Sequence, residues 1–251
     1  MKALVTGASS GIGKDIAIYL DKLGYELFIV GRNKNNLDEV AKACNNIKAV
    51  FELDLSNIDS VYKLYEKLKN EKIDILINNA GFGLFGYFNE TELDKELNMI
   101  DLNIKSVHIL TKLFLKDMMK ENKGKILKVA SSAGFFAGPY LNTYYATKNY
   151  VLKLSLAINE ELKKQKSKTS VSVLCPGPVN TNFNKTAGGS FKSKALESKY
   201  VAKYAVDKML KNKMIIIPGL KMKIAIFLSR FIPYRLQLKI LYFIQRGKTK
   251  W

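Results

Sequence analysis

Histidine and cysteine are scarce in this chain, and their scarcity excludes several classes of protein. Among 251 residues there is one histidine, His108, and there are two cysteines, Cys44 and Cys175. The cysteines stand far apart, with no CxxC pair and no neighbouring histidine, so neither a disulfide framework nor a Cys/His zinc site is expected. We interpret Cys175 as a strand-core residue and His108 as a surface or packing residue.

Long apolar runs are also missing. No window approaches about 18 apolar residues without a charge, so we expect no helix that spans a bilayer. The apolar run at the start, within MKALVTGASSGIG, is too short for a secretory signal peptide. A cytoplasmic protein is therefore the default expectation.

Acidic residues and arginine are few beside lysine. The chain has 41 Lys and Arg against 22 Asp and Glu, a net charge of +19, and only Arg32, Arg230, Arg235 and Arg246 are arginine. This positive net charge suggests three possible kinds of anionic partner: nucleic acid, a membrane surface or a phosphorylated ligand. Lysine-rich charge is more typical of a solvated surface, because arginine supplies the planar bidentate contacts that phosphate and base recognition favour.

Seven short apolar runs predict the strands of a parallel sheet. They span residues 2–6, 26–30, 47–51, 73–77, 125–129, 170–174 and 214–217. Amphipathic stretches long enough for helices lie between them, at roughly 12–23, 34–44, 57–69, 93–121, 143–164 and 198–211. The alternation predicts an α/β fold with a doubly wound, seven-stranded parallel sheet and helices on both faces. We expect this domain over 1–218, followed by a short helical C-terminal extension over 219–251.

A glycine-rich turn follows the first predicted strand. Gly7, Gly11 and Gly13 stand between that strand and an apolar helix face. Glycines at this place permit a tight turn and a close approach of the backbone, so that a pyrophosphate can lie at the helix N-terminus. The strand before the glycines and the helix after them make this a stronger signal than a bare glycine triplet.

Several motifs occur in an order that is similar to one known family. They are Thr6-Gly7-xxx-Gly11-x-Gly13, Asn78-Asn79-Ala80-Gly81, Asn103, Ser131, Tyr144-xxx-Lys148 and the stretch Pro176-Gly177-Pro178-Val179-Asn180-Thr181. This pattern resembles the short-chain dehydrogenase/reductase family over residues 6 to 181. The resemblance implies a Rossmann-type fold, a nicotinamide cofactor and the interconversion of a carbonyl and an alcohol.

The resemblance also implies which residues contact the cofactor. They are Gly7, Ser9, Ser10, Gly11, Ile12, Gly13, Arg32, Asp54, Leu55, Asn79, Ala80, Gly81, Tyr144, Lys148, Pro176, Gly177, Val179 and Thr181. NAD-preferring relatives carry an acid at the end of the second strand, where this chain has Gly31 followed by Arg32. Because a guanidinium matches phosphate bidentately, we expect NADP(H) to be favoured over NAD(H), with Ser9 adding a hydroxyl contact. The alternative is that Arg32 only stacks on adenine or faces solvent.

Asp54 has two interpretations. By resemblance, Asp54 and Leu55 contact the adenine, the carboxylate accepting from its amino group. Asp54 could equally be a helix N-cap, because Ser56 and Asp59 look like the entry to the next helix.

The predicted catalytic set is Asn103, Ser131, Tyr144 and Lys148. Tyr144 and Lys148 are four residues apart on a predicted helix and so share a face. A nearby ammonium is expected to lower the pKa of the tyrosine, which would deliver the proton in carbonyl reduction. By resemblance, Lys148 also holds the nicotinamide ribose, Ser131 holds the substrate oxygen, and Asn103 holds a water of a proton relay.

Apolar residues dominate the predicted substrate pocket. We expect it to be formed by Phe82, Leu84 and Phe85, by residues 135–140, and by a lid that contains Phe183 and Phe191. Since no arginine or lysine clamp for a carboxylate is evident, the substrate is predicted to be a lipophilic ketone, aldehyde or secondary alcohol.

The extension over 219–251 mixes cations with apolar residues, and Pro233 predicts a break between two short helices. Three interpretations stay open: a lid or subunit-interface element, a peripheral membrane anchor, or a nucleic-acid patch. The last is disfavoured because no nucleic-acid motif accompanies the charge. We expect a homodimer or homotetramer.

The sequence thus predicts an NADP-dependent oxidoreductase. The alternative is a non-catalytic dinucleotide-binding sensor or membrane-associated adaptor. The complete catalytic set argues against it, because a pure binder needs no proton donor.

Overall fold

A seven-stranded parallel sheet forms the centre of the protein, in a computed structural model that describes residues 1–188 and 195–247. Its strands are β1 Lys2–Thr6, β2 Glu26–Gly31, β3 Ile47–Glu52, β4 Ile75–Asn78, β5 Lys125–Val129, β6 Ser170–Leu174 and β9 Ile215–Ile216. They stand in the order β3-β2-β1-β4-β5-β6-β9. The order reverses between β1 and β4, where a doubly wound sheet leaves a crevice at the carboxyl ends of its strands.

Helices cover both faces of the sheet. Their bounds are α1 Gly11–Lys22, α2 Lys34–Lys42, α3 Ile58–Leu68, α4 Leu93–Ile100, α5 Val107–Lys120, α6 Asn142–Lys164, a one-turn α7 Phe183–Ala187 and α8 Ser198–Leu210. The apolar faces of α1, α2 and α8 pack in one buried cluster with residues of the sheet. Those of α3 and α5, with the end of α6, pack in a second cluster. The prediction of a doubly wound α/β fold is confirmed.

Two details differ from the sequence prediction. The predicted helix over 93–121 is helical from 93 to 120, but Asp101–Ser106 forms a π-helical segment between α4 and α5. Two further strands, β7 Val179–Asn180 and β8 Leu196–Glu197, pair with each other in a separate small sheet. Each has only two residues, which is too short for an alternating pattern to show in the sequence.

The extension forms two helices, as predicted. They are α9 Leu220–Ser229 and α10 Tyr234–Arg246, and Pro233 precedes the second as its N-cap. Proline fits this place because the first turn of a helix leaves its N–H groups unpaired in any case. None of the helices in residues 1–188 and 195–247 combines the length and the apolar content that a membrane span needs.

Candidate active site

The carboxyl ends of the central strands open into one cavity of about 950 Å³. It brings together eighteen of the twenty predicted site residues: Gly7, Ser9, Ser10, Gly11, Ile12, Arg32, Asp54, Leu55, Asn79, Ala80, Gly81, Ser131, Tyr144, Lys148, Pro176, Gly177, Val179 and Thr181. Gly13 and Asn103 lie behind the cavity wall and contact residues that line it. Residues that are far apart in the sequence therefore share one site.

The glycine turn is packed so closely that larger residues do not fit. Gly7 has a φ of +64°, a conformation that costs a side-chain-bearing residue free energy. A Cβ at Gly13 would overlap the carbonyl oxygen of Gly7 and the amide of Asn79. The backbone at the start of α1 is thus left bare of side chains, and such a cradle fits the pyrophosphate of a dinucleotide.

Thr6 and Asn79 hold this turn in place. The Asn79 amide donates to the carbonyl oxygens of Thr6 at 3.0 Å and Gly7 at 3.1 Å. The Thr6 hydroxyl accepts from the backbone N–H groups of Asn79 and Ala80 and donates to the Ile77 carbonyl. Sequence reasoning did not assign Thr6 to the site, although its place directly before the first glycine was a signal.

Arg32 lines the cavity beside the glycine turn. Its side chain is 56% exposed, and its guanidinium is 3.9 Å from the Asp54 carboxylate. A Cβ at Gly31 would lie 3.2 Å from the Ser9 hydroxyl oxygen, so Ser9 and Arg32 flank one point on the cavity wall. A long, exposed ion pair contributes little free energy and leaves the guanidinium able to bind an anion.

Asp54 is not the N-cap of the next helix. That cap is Asn57, whose side-chain oxygen accepts from the Asp59 N–H at 2.9 Å. Asp54 stands one turn earlier and accepts from the N–H and the hydroxyl of Ser56. The N-cap alternative is therefore wrong. The adenine contact of Asp54 and Leu55 stays a prediction, and both residues line the cavity.

Tyr144 and Lys148 lie one turn apart on α6, and Ser131 lies two residues after the end of β5. Lys148 Nζ is 5.7 Å from the centre of the Tyr144 ring and donates to the Val129 carbonyl at 2.9 Å. Ser131 hydrogen-bonds the Tyr144 hydroxyl, and its oxygen also accepts from the Ala133 N–H at 3.1 Å. The serine is thereby fixed beside the phenol.

Burial controls the protonation of this pair. It raises the pKa of Tyr144 above its ordinary value, an effect that the hydrogen bond from Ser131 opposes. Burial also lowers the pKa of Lys148 to about 8. The pKa of Tyr144 is thus raised, whereas the sequence predicts that Lys148 lowers it. Tyr144 is consequently a neutral phenol at neutral pH, which is the form that donates a proton.

Asn103 is fully buried in the π-helical segment behind the cavity. Its amide donates to the Phe82 carbonyl at 2.9 Å and its oxygen accepts from the Phe82 N–H at 3.1 Å. A Cβ at Gly81 would meet both Asn103 Oδ1 and Lys148 Nζ, so the two side chains converge on the same point. This places Asn103 close enough to Lys148 to take part in a shared polar network.

The substrate end of the cavity only partly follows the sequence prediction. Phe82, Phe136 and Phe183 line it, whereas Leu84 and Phe85 pack behind them against the cluster around Tyr144 and Tyr145. Phe135 packs in a different cluster, on α6 and β6. Phe191 lies outside the described residues.

The extension supplies a wall of the cavity that the sequence did not assign residue by residue. The lining residues from this part are Met222, Ala225, Ser229, Ile232, Gln237, Ile240, Leu241, Ile244 and Gln245. Gln245 donates to the Tyr145 hydroxyl, and Tyr242 shares a hydroxyl chain with Tyr140 and Tyr87. The extension therefore forms part of the cavity wall, and its interpretation as a lid or subunit-interface element stays a prediction.

The remaining candidate groups lie away from the chemistry. His108 is exposed and contacts the Tyr150 hydroxyl, while Cys175 is fully buried in the cluster between β6 and α6. Among the described residues, no group of three or more His, Cys, Asp or Glu side chains is placed to hold a metal ion.

A Rossmann-type sheet, a bare glycine cradle and a buried tyrosine beside lysine and serine define a dinucleotide-dependent oxidoreductase. The family model for short chain dehydrogenases matches residues 1–190. The chain belongs to the short-chain dehydrogenase/reductase family, whose members act on alcohol and carbonyl groups.

Individual relatives agree with this assignment. An uncharacterised short-chain type dehydrogenase/reductase of Sinorhizobium fredii is 40% identical over 191 residues, covering 74% of this chain and 73% of that protein. Estradiol 17-beta-dehydrogenase 11 of Macaca fascicularis is 32% identical over 238 residues, covering 92% and 79%. The solved short-chain dehydrogenase of Sphingobium yanoikuyae in complex with NADPH has a TM-score of 0.81 and 26% identity, covering 87% and 88%.

Proposed function

We propose that this protein is an NADP-dependent oxidoreductase that interconverts a lipophilic ketone or aldehyde and its alcohol, with Tyr144 as the acid/base. The observation that carries the proposal is the position of the Tyr144 hydroxyl. It is buried, bonded to Ser131 and one turn from Lys148, in the cavity that also contains the glycine turn and Arg32. A dinucleotide-binding sensor would not need a proton donor at that place.

The cradle at Gly7 and Gly13 and the bare wall at Gly81 fit an extended dinucleotide. The glycine turn would hold its pyrophosphate, Asp54 and Leu55 its adenine, Val179 and Thr181 its carboxamide, and Lys148 its nicotinamide ribose. When bound, NADP(H) supplies or accepts the hydride.

The protein's own part in the reaction is to place and protonate the carbonyl oxygen. Ser131 would donate to that oxygen and align it with Tyr144, a preorganised contact that gains strength as negative charge develops. Tyr144, held neutral by burial, would then pass its proton to the oxygen. Lys148 carries charge below a pH of about 8 and would stabilise the phenolate that remains. Asn103, whose side chain lies near that of Lys148 beside Gly81, would help return a proton to Tyr144.

The cavity wall supports a lipophilic substrate. Phe82, Phe136 and Phe183 line it together with Ile240 and Leu241, and such surfaces gain free energy by excluding water from apolar ligands. The related estradiol 17-beta-dehydrogenase 11 carries the name of a steroid substrate, which is an apolar secondary alcohol.

Cofactor oxidation over a panel of carbonyl compounds tests the proposal. We expect NADPH consumption with bulky apolar ketones and aldehydes, and kcat/KM values at least about tenfold lower for small charged sugars and keto acids of equal reactivity. High kcat/KM for the charged compounds alone would overturn the substrate class.

Arg32→Ala is expected to raise the KM for NADPH by about 10- to 100-fold, because charge-assisted hydrogen bonds to the 2′-phosphate are lost. The KM for NADH should change by less than about threefold, since NADH carries no such phosphate. Steady-state kinetics with both cofactors measures this.

Lys34→Ala is the matched control for Arg32→Ala. Lys34 is a neighbouring exposed cation, but its ammonium pairs with Asp38 at 2.8 Å and does not line the cavity. It should leave both KM values unchanged. Equal effects of Arg32→Ala on NADPH and NADH would contradict phosphate recognition by Arg32.

A further inference from the structure

The outer side of the extension exposes a concentration of large apolar side chains. Ten of the eighteen such side chains exposed in the described part of the chain lie between residues 220 and 244. Phe231 is 74% exposed and Phe243 is 67% exposed. Contiguous apolar surface in contact with water is costly in free energy and marks an interaction site.

On α9 and the turn after it, these side chains follow one helical face. They are Leu220, Ile224, Phe227, Leu228 and Phe231, at the spacing i, i+4, i+7, i+8, i+11. The other side of α9 contributes the buried Ile226 and the cavity-lining Met222. A helix that is apolar on both sides is normally buried on both sides, so the outer face of α9 needs an occupant.

On α10 an apolar stripe runs beside a cationic one. The apolar stripe is Leu236, Ile240, Phe243 and Ile244, and the cationic stripe is Arg235, Lys239 and Arg246. On α9, Lys221 and Lys223 flank the apolar face on its two sides, because each lies about 80° around the helix from its centre. Each apolar face is thus bordered by positive charge.

The positive charge of the extension favours an anionic partner for its outer face. Residues 219–247 contain Lys221, Lys223, Arg230, Arg235, Lys239 and Arg246, and the sequence has no acidic residue after Asp207. A symmetric contact between two copies of this face would bring two cationic sets together with no acid to pair with them. Anionic lipid satisfies both parts of the surface, because its headgroups pair with cations and its acyl chains receive apolar side chains.

We propose that the outer face of residues 220–246 docks the protein on the surface of an anionic lipid membrane. α9 and α10 have ten and thirteen residues. At about 1.5 Å per residue, both are shorter than the hydrocarbon core of about 30 Å, so they lie in the interface and do not cross it.

The cavity borders the same face. Ile240 and Ile244 line the cavity and are also 42% and 48% exposed. Docking therefore brings this edge of the cavity against lipid. In this one respect the inference rests on the proposed function: a lipophilic substrate dissolved in the bilayer would reach Tyr144 without crossing water.

Sedimentation of the full chain with lipid vesicles tests the docking without any substrate. The wild-type protein is expected to pellet with vesicles of phosphatidylglycerol and phosphatidylcholine, at least about tenfold more than with phosphatidylcholine alone, and added salt should reduce binding. Phe227, Phe231 and Phe243 do not line the cavity. The triple variant Phe227→Ser/Phe231→Ser/Phe243→Ser should therefore keep its cavity but bind the anionic vesicles at least about tenfold less than the wild type. Lys221→Gln and Arg235→Gln should each lower binding about fivefold.

Tyr62→Ser on α3 is the matched control, since it also removes a half-exposed aromatic ring. It should pellet as the wild type does, and the thermal melts of all variants verify that they fold. Docking is overturned if the wild type stays in the supernatant, or if the triple variant pellets like the wild type. It is also overturned if analytical ultracentrifugation shows that the wild type is an oligomer and the triple variant is a monomer, while neither protein binds the vesicles. Vesicle binding without carbonyl turnover would overturn the proposed function and leave the docking intact.

Discussion

Tyr144→Phe should lower kcat for carbonyl reduction by about 10²- to 10⁴-fold, because the variant keeps the ring but loses the proton donor. Tyr144 is only 8% exposed, and its hydroxyl bonds to Ser131 inside the cavity. The ring should remain packed, so the Kd for NADPH should change by less than about threefold. Single-turnover kinetics and fluorescence titration with NADPH measure the two quantities separately.

Two control variants on the same helix sharpen the Tyr144→Phe experiment. Tyr150→Phe removes a hydroxyl that contacts His108 outside the cavity, and it should leave kcat unchanged. Tyr145→Phe removes the neighbouring hydroxyl that accepts from Gln245, and its loss of kcat should be far smaller than that of Tyr144→Phe. Retained turnover in Tyr144→Phe, or an equal loss in Tyr145→Phe, would show that Tyr144 is not the acid.

Lys128→Met should stabilise the protein at neutral pH and below, by up to about 5 kcal/mol if the whole cost of charging the buried amine is removed. Lys128 stands in β5, is fully buried, and its ammonium has no hydrogen-bond partner within the described residues. Burial lowers its pKa from 10.5 to about 7, so charging this group inside the sheet costs free energy. Methionine has a similar length and is apolar, so it should fill the same space without that cost.

The pH dependence of the free energy of unfolding shows whether Lys128→Met stabilises by removing a buried charge or only by better packing. Because the pKa of Lys128 is lower in the folded state, the unfolded chain binds more protons between pH 7 and 10.5. The free energy of unfolding of the wild type should therefore rise with pH across that window, by up to about 1.4 kcal/mol per pH unit from this group. Lys128→Met should lack this contribution, and urea titrations at several pH values measure it.

The exposed residue Lys153 provides a control on α6. Lys153→Met should leave both the free energy of unfolding and its dependence on pH close to those of the wild type. A Lys128→Met variant that is less stable than the wild type, or that keeps the full slope, would show that the Lys128 ammonium is accommodated in the core at no cost.

The strands and most of the helices could be predicted because they depend on local pattern. Runs such as LFIV, residues 27–30 of β2, are apolar at every position because both faces of a parallel sheet are covered. The run KILKV was also predicted as a strand, but pattern alone did not show that Lys128 is fully buried while Lys125 lies at the start of β5. The position of a residue along a strand relative to the covering helices is set by tertiary packing.

The candidate site divides in the same way. The motifs around Gly7, Tyr144 and Pro176 predicted which residues would meet, because strand ends of a parallel sheet converge on one edge. The direction of the Tyr144 pKa shift could not be predicted, since burial, and not the spacing to Lys148, dominates it. The sequence also did not predict that Leu241 and Gln245 line the cavity, because helical periodicity does not show what a helix face packs against.

The cavity wall formed by α9 and α10 has a consequence for how such a protein can change. The proposed proton donor Tyr144 and Lys148 lie on α6, whereas Leu241, Ile244 and Gln245 come from the last helix. Part of the cavity wall is thus encoded in a separate stretch of the chain from these two residues. We expect substitutions in the last two helices to change which molecule enters while Tyr144 and Lys148 stay in place, which makes the extension an evolvable module.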